Sequence, residues 1–370
     1  MRVPFFDVRD FPAGILPQMQ ESLLQSVARK EFILGQDVRD FEAAFAEYLG
    51  AEHVMGVGNG YDALVLSLKA LGIGTGDEVI LPANGYAATI NAVEQVGALP
   101  VLVEPDPVTY NLRAQEVNAA ITSRTKAILP IHLYGQPCFM PDLVKTAQKR
   151  SLYLVEDCAQ AHGAKVQGQC VGTFGECNAF SFYPTKNLGA LGDGGAVVTS
   201  DPQRAEFIRK YRNYGQSSRY VFEFVGINSR LDSLQAAVLS RRLTYLEALN
   251  TERRRLAEVY RHALAGIEHL TLPANALGVT PVYHLFVVRT PGRDALQTYL
   301  QQRGIQTHVH YPVPPHLQPA YRHLGFGPGA FPLTEALAAT SLSLPLFPGM
   351  TAPEQAYVIE QVQQFFAAQH

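Results

Sequence analysis

Cysteine is scarce in this chain. Its 370 residues include four, Cys138, Cys158, Cys170 and Cys177. No two form a C-x-x-C pair, which argues against a zinc knot, and nothing matches H-E-x-x-H; no metal is expected. The N-terminus, Met1-Arg2-Val3-Pro4-Phe5-Phe6-Asp7, lacks the apolar core of a signal peptide. Few cysteines and no such peptide point to free thiols and a cytoplasmic setting. Charge of one sign is also lacking. Thirty basic residues face 33 acidic ones, for a formal net charge of -3. That balance excludes the basic field nucleic acid would need, so any bound phosphate must be held by local groups. No run approaches the ~20 apolar residues of a membrane span. What is present, 47% apolar and 17% charged residues, suits a well-packed enzyme long enough for two domains.

Short apolar runs alternate with helical patterns. Ile15, Met19, Leu23 and Val27 predict a helix over 15–30, and Val38, Phe41, Phe45 and Leu49 a second over 37–49. Strands are expected at Val79–Leu81, Pro100–Val103, Ala127–Ile131 and Leu152–Val155. Short and apolar on both sides, with helical crossovers, they indicate a mainly parallel sheet covered on both faces. A long helix is expected after Asp232, carrying Leu234, Val238, Leu243, Leu246 and Leu249. It continues into Glu252-Arg253-Arg254-Arg255, read as a solvated face. From about 251 the pattern changes to a strand at Leu285–Val288, a helix near 294–303, and a Pro- and His-rich extended loop, His308 to His316.

Chemistry concentrates at four places. The run Ala179 to Tyr183 ends at Lys186, and Gly189 to Gly195 follows, which reads as strand, exposed turn, strand. A lysine held there is placed to be desolvated, to lose its proton and to form an imine with an aldehyde; a plain surface lysine is the alternative. Gly56-x-Gly58-x-Gly60 leads from a strand into a helix whose first N–H groups suit a phosphate. A dinucleotide fingerprint wants an acid at the end of the next strand; here Asp77-Glu78 precede it, so a single phosphate is expected. Tyr86 follows a strand's C-terminal end, where a ring can stack on a flat ligand, unless it merely packs on the surface. Asp157, just past a buried strand, needs a cationic partner or a structural hydrogen bond. Together these meet the needs of pyridoxal 5'-phosphate: an amine for the aldehyde, a carboxylate for the pyridine nitrogen and N–H donors for the phosphate.

Across nearly its whole length the chain resembles the DegT/DnrJ/EryC/StrS sugar aminotransferases. The resemblance rests on Gly60-Tyr61-Asp62-Ala63-Leu64, Gly76-Asp77-Glu78-Val79-Ile80, Val155 to Gly163, Ser181 to Lys186, Gly192-Asp193-Gly194-Gly195 and Asn228-Ser229-Arg230-Leu231-Asp232. It implies an α/β fold of the PLP-dependent transferase type (aspartate aminotransferase-like, fold type I). That fold is a mostly parallel mixed sheet covered by helices, residues 1–250, plus a smaller C-terminal α/β domain, 251–370. It implies that Lys186 binds the cofactor aldehyde and later shuttles a proton, and that Asp157 pairs with the pyridine nitrogen. Gln160 would meet the ring hydroxyl and Tyr86 would stack on the ring. Gly60, Tyr61 and Ser181 would hold the phosphate, joined by Asn228 of a partner subunit in a homodimer. Tyr61 stands where many members carry a small hydroxyl residue, so only a backbone contact is implied there.

Asn59-Gly60-x-Asp62-Ala63-Leu64, Val103-Glu104-Pro105, His132 to Pro137 and the His310 to His316 loop resemble the branch acting at C3 of dTDP-linked 3-keto-6-deoxysugars. That branch takes its amino group from L-glutamate. Tyr183, Arg219, His310 and Tyr311 are the candidate nucleotide-sugar contacts, Arg219 for the diphosphate. The alternatives are a C4 or inositol-type aminotransferase, a related dehydratase with histidine in place of the lysine, and a non-catalytic sensor of the cofactor or nucleotide sugar.

Overall fold

The computed structural model describes residues 1–368. Its central sheet contains β1 (His53–Val57), β2 (Glu78–Pro82), β3 (Leu99–Val103), β4 (Thr125–Ile128), β5 (Tyr153–Leu154), β6 (Asn178–Ser181) and β7 (Gly195–Thr199). One side runs β3-β2-β4-β5, all parallel, and the other β6-β7-β1. Asp157 joins the two sides through parallel bridges to Ile131 and Ala179. Only β7 runs against its neighbours within this sheet, pairing antiparallel with β6 and β1.

The strands are apolar on both sides because both faces are covered. Ile80, Ile128, Leu154 and Phe180 belong to one cluster, with Phe41 and Phe45 of the helix Gln36–Leu49. Their sequence neighbours Leu81, Ala127, Val155 and Ala179 belong to another, with Leu64 and Leu68 of the helix Gly60–Ala70. This alternation is the period-two pattern of a strand sandwiched between helices. A third cluster gathers Leu256, Tyr260, Phe286, Leu342, Phe365 and Val3. There β8 (Phe286–Arg289) pairs antiparallel with β9 (Ser341–Leu344). The N-terminal segment is fastened to this part by Val3, bridged to Ile305, and by Arg9, which donates twice to Glu354 at 2.7 Å.

Three expectations need correction. The single long helix is two, Ser233–Leu243 and Leu246–Ala263, broken at Thr244-Tyr245. The charge run is not wholly a solvated face. Arg254 and Arg255 pair with Glu247 and Glu252, but Arg253 is 3% exposed. Its Nη1 donates to the carbonyls of Tyr283, His284 and Leu346 at 3.2–3.3 Å. Burial here is set by chain segments 30 to 93 residues away, which no local charge pattern reports. Finally, the loop between β6 and β7 is not an open turn: Asn187, Leu188 and Ala190 are buried.

Candidate active site

The β6–β7 loop carries Lys186. Its neighbour Asn187 is anchored by two bonds from Nδ2, to Asn250 Oδ1 at 2.8 Å and Val282 O at 3.0 Å. Asn250 in turn donates to His162 O at 2.8 Å. The peptide bearing the lysine is thereby tied to a helix, to the segment before β8 and to the stretch after Asp157. Lys186 keeps some accessible surface, yet its amine is desolvated. Burial pulls its pKa from 10.5 down to about 8, against the opposing pull of Asp157. Three imidazoles also feel its charge. Burial holds His162 down to about 3 and His310 to about 4, and His284 well below its ordinary value. All three rings are therefore neutral at neutral pH and leave the lysine the ionisable cation among them.

Asp157 is buried, 6% exposed. It accepts from Thr89 Oγ1 at 2.7 Å and from the Ala159 N–H at 3.1 Å. Both partners fix the carboxylate without neutralising it. Gln160 is clamped at both ends of its amide. Oε1 accepts from the Tyr134 N–H at 2.6 Å, and Nε2 donates to Tyr311 Oη at 3.1 Å. Tyr134 Oη donates to His310 O, and the Tyr86 and Tyr311 ring centroids lie 5.5 Å apart. Tyr86 itself is 62% exposed. An aromatic ring that open, at the C-terminal end of a strand, has a free face for a flat ligand.

The glycine-rich turn lies beside the lysine loop. Asn59 caps the helix Gly60–Ala70, accepting the Asp62 N–H at 2.8 Å. The first two N–H groups, of Gly60 and Tyr61, are left for an anion. The approach is close: a Cβ on Gly60 would sit 2.5 Å from Ser181 Cβ, and one on Gly195 2.4 Å from Asn59 O. The turn is braced from outside by Ser229, which accepts from the Gly58 N–H at 3.0 Å and donates to Asp62 at 2.6 Å. Gly60→Ala is therefore expected to leave a folded protein whose affinity for pyridoxal 5'-phosphate falls by about tenfold or more, as equilibrium dialysis would measure. Unchanged affinity would place the phosphate elsewhere.

These residues fit the cofactor. A desolvated amine, a buried carboxylate, an N–H cradle that no side chain could enter and an open aromatic face meet in one place. The structure brings together Lys186, Asp157, Gln160, Tyr86, His310 and Tyr311, with Gly60, Tyr61 and Ser181 alongside. It does not bring Arg219 or Asn228 to Lys186 within the chain. Arg219 stands on an exposed hairpin, its guanidinium over the Tyr220 ring at 5.1 Å. Asn228 is exposed and bridged to Asn213, and Tyr183 is exposed on the lysine loop. Sequence reasoning missed Thr89, Tyr134, Asn187, Asn250, His162 and His284. Asn187 adjoins Lys186, Thr89 follows Tyr86 on the first turn of the same helix, and Tyr134 and His162 lie in runs that carry the resemblance; none of these positions reports its partner, and Asn250 and His284 left no local signal.

A second polar cluster lies deeper. His132, Glu156 and Cys158 converge in a buried trio that resembles a metal site. Its donors are already engaged. Glu156 accepts from the N–H groups of Gly172, Phe174 and Gly175 at 2.7–3.0 Å and from His132 Nε2 at 3.0 Å. His132 Nδ1 accepts the Cys138 N–H at 3.0 Å. The trio braces the segment that runs from β5 through Asp157.

The DegT/DnrJ/EryC1/StrS aminotransferase family matches residues 15–363. The chain is 46% identical to dTDP-3-amino-3,4,6-trideoxy-alpha-D-glucose transaminase of Streptomyces venezuelae, over 98% of this chain and 96% of that one. It is 47% identical to the protein named erythromycin biosynthesis sensory transduction protein EryC1 of Saccharopolyspora erythraea, over 97% and 98%. Among solved structures, S. venezuelae DesV in complex with a ketimine intermediate superposes with a TM-score of 0.96 at 46% identity, covering 99% of this chain and 98% of that one.

Proposed function

Because the chain belongs to the DegT/DnrJ/EryC1/StrS aminotransferase family and is a PLP-dependent transaminase of fold type I, we propose that it moves an amino group from L-glutamate to the 3-keto carbon of a dTDP-linked 6-deoxysugar. The observation that carries the reading is the neutral-prone amine of Lys186 held in reach of the buried Asp157 carboxylate. The nucleotide sugar is supported by the names of relatives such as the S. venezuelae transaminase.

When bound, pyridoxal 5'-phosphate supplies an aldehyde that carries the amino group and a ring that takes up electrons from the carbon being deprotonated. Lys186 would bind the aldehyde and, once released, would carry the proton between the cofactor's C4' and the substrate carbon; a pKa near 8 suits both taking and giving it at neutral pH. Asp157, held by Thr89 and Ala159, would keep the pyridine nitrogen protonated. Gln160 would orient the ring by donating to its hydroxyl oxygen, Tyr86 would stack on the ring, and the Gly60 and Tyr61 N–H groups with Ser181 would hold the phosphate. Tyr183, His310 and Tyr311 contact the sugar nucleotide.

The active unit in this proposal is a homodimer, with Asn228 completing the partner's phosphate site and Arg219 its diphosphate site. Support comes from exposed apolar side chains around those two residues, Tyr220, Val221, Phe222 and Val225, the last 91% exposed. The division into a cofactor-binding part, 1–250, and a smaller part, 251–370, belongs to the same proposal, supported by the separate cluster around Phe286.

The reading is tested by incubating the enzyme with pyridoxal 5'-phosphate, L-glutamate and a panel of dTDP- and UDP-ketosugars, then locating the new nitrogen by mass spectrometry and NMR. Amination at C3 of a dTDP-3-keto-6-deoxysugar is expected; amination at C4 alone overturns it. The name of EryC1 keeps a sensor reading in view. A sensor would bind the sugar nucleotide and release no product.

A further inference from the structure

Behind the lysine loop lies a cavity of about 30 Å³ between the N-terminal segment and the helices Ser233–Leu243 and Leu246–Ala263. Lys186, Asn187, Arg242 and Arg253 line it, with Asp7 and Arg9 at the N-terminal side. The charges do not balance locally. Asp7 accepts from Arg9 Nε and the Val8 N–H, both at 2.9 Å, and Arg9 is further engaged by Glu354. The Arg242 guanidinium has no hydrogen-bonding or ionic partner among the described residues, and its Nε is buried. Arg253, itself 3% exposed, uses Nη1 on three carbonyls and leaves a buried Nε unpartnered. Burial lowers the pKa of both guanidinium groups, and Arg242 adds to the effect on Arg253. Two desolvated, mutually repelling cations with spare donors call for an anion.

We propose that this cavity is the subsite for a carboxylate of the amino donor, with Arg242 as its principal ligand and Arg253 as the buried charge behind it. The size is right: room for one or two waters is room for a carboxylate. The position is right as well. The donor must bring its amine to Lys186, and an amino acid carries a carboxylate on the very carbon that reacts. A ketosugar's diphosphate sits on C1, away from the reacting C3, and has Arg219 for a partner. The planar guanidinium fork matches a carboxylate in two parallel bonds. The proposal rests on the transaminase reading and names the group that selects its donor.

The test uses the holoenzyme and glutarate, which has both carboxylates of glutamate but no amine to react. Calorimetry should show glutarate binding to the unaltered protein and a Kd about 10- to 100-fold higher for Arg242→Gln, the range lost with one charge-assisted pair. The KM for L-glutamate should rise by a similar factor while the KM for the ketosugar holds, and Arg242→Lys should recover part of the loss. Unchanged glutarate affinity in Arg242→Gln overturns the proposal, as does an equal rise of both KM values, the mark of a structural fault. So does sulfate that binds at the cavity without competing against glutarate, because the occupant is then an inorganic anion. Conversion of the unaltered enzyme's cofactor by L-glutamate, followed by absorbance, tests the underlying reading separately.

Discussion

Lys186→Met abolishes transamination and, in the cofactor-free protein, raises thermal stability. The first effect should be on the order of 10⁴-fold or more in kcat, because one residue both binds the aldehyde and moves the proton. The absorption band of the lysine-bound cofactor should vanish with it. Turnover comparable with that of the unaltered enzyme would remove Lys186 from the chemistry. The second effect follows from the amine's surroundings. Its pKa is about 8 in the folded chain against an ordinary 10.5. Between those values the unfolded chain binds more protons than the folded one, so stability of the cofactor-free protein rises with pH across that window and is independent of this group below it. At neutral pH the ammonium is held where water solvates it poorly, and an uncharged side chain of similar length relieves that. Melting curves at pH 7 and pH 10 should show the methionine variant ahead at pH 7 and the gap narrowing at pH 10. A variant that melts below the unaltered chain at pH 7 would mean that the loop needs its charge.

Asp157→Asn tests the other side of the ring. The substitution preserves shape, and both neighbours can adapt: the Ala159 N–H still finds an oxygen, and the Thr89 hydroxyl can accept from the new amide instead of donating. What disappears is the negative charge. An opposite charge at this range shifts a neighbouring pKa by about 1–3 units, so the pyridine nitrogen loses its proton near neutral pH. A fall in kcat of about 10²- to 10⁴-fold is expected, with cofactor still bound and the far-UV circular dichroism unchanged. If kcat holds, Asp157 is a structural acceptor for Thr89 and no more.

The parts of this site that could be read in the chain were those whose chemistry and backbone requirement coincide locally. Gly60 is glycine because Ser181 leaves no room for a Cβ, and Lys186 follows an aromatic run that must be buried. The two-faced strands Val79–Leu81 and Ala127–Ile131 announced a covered parallel sheet in the same way. Thr89, Tyr134 and Asn250 are different. Thr89 meets Asp157 across 68 residues, and Asn250 meets Asn187 across 63. Nothing near either residue encodes the meeting; it exists only once the sheet and helices have packed. Arg253 shows the converse. Its neighbours Arg254 and Arg255 reach for surface acids, and the pattern of four charged residues hides that one of them faces inward. Arg219 and Asn228 were legible as types but not as places: Arg219 lies on an exposed hairpin and Asn228 is exposed beyond it, and only the proposed second copy would bring them to a site.

The amide of Gln160 has no freedom to turn over. Its oxygen is spoken for by the Tyr134 main chain, so the nitrogen must face Tyr311 and the space beside it. In the proposed cofactor site this amide would therefore give a hydrogen, not receive one, to the ring's oxygen. It would favour that oxygen as an anion over a hydroxyl in need of an acceptor. A side chain far from the reacting carbon would thus bear on the protonation state in which the vitamin is admitted.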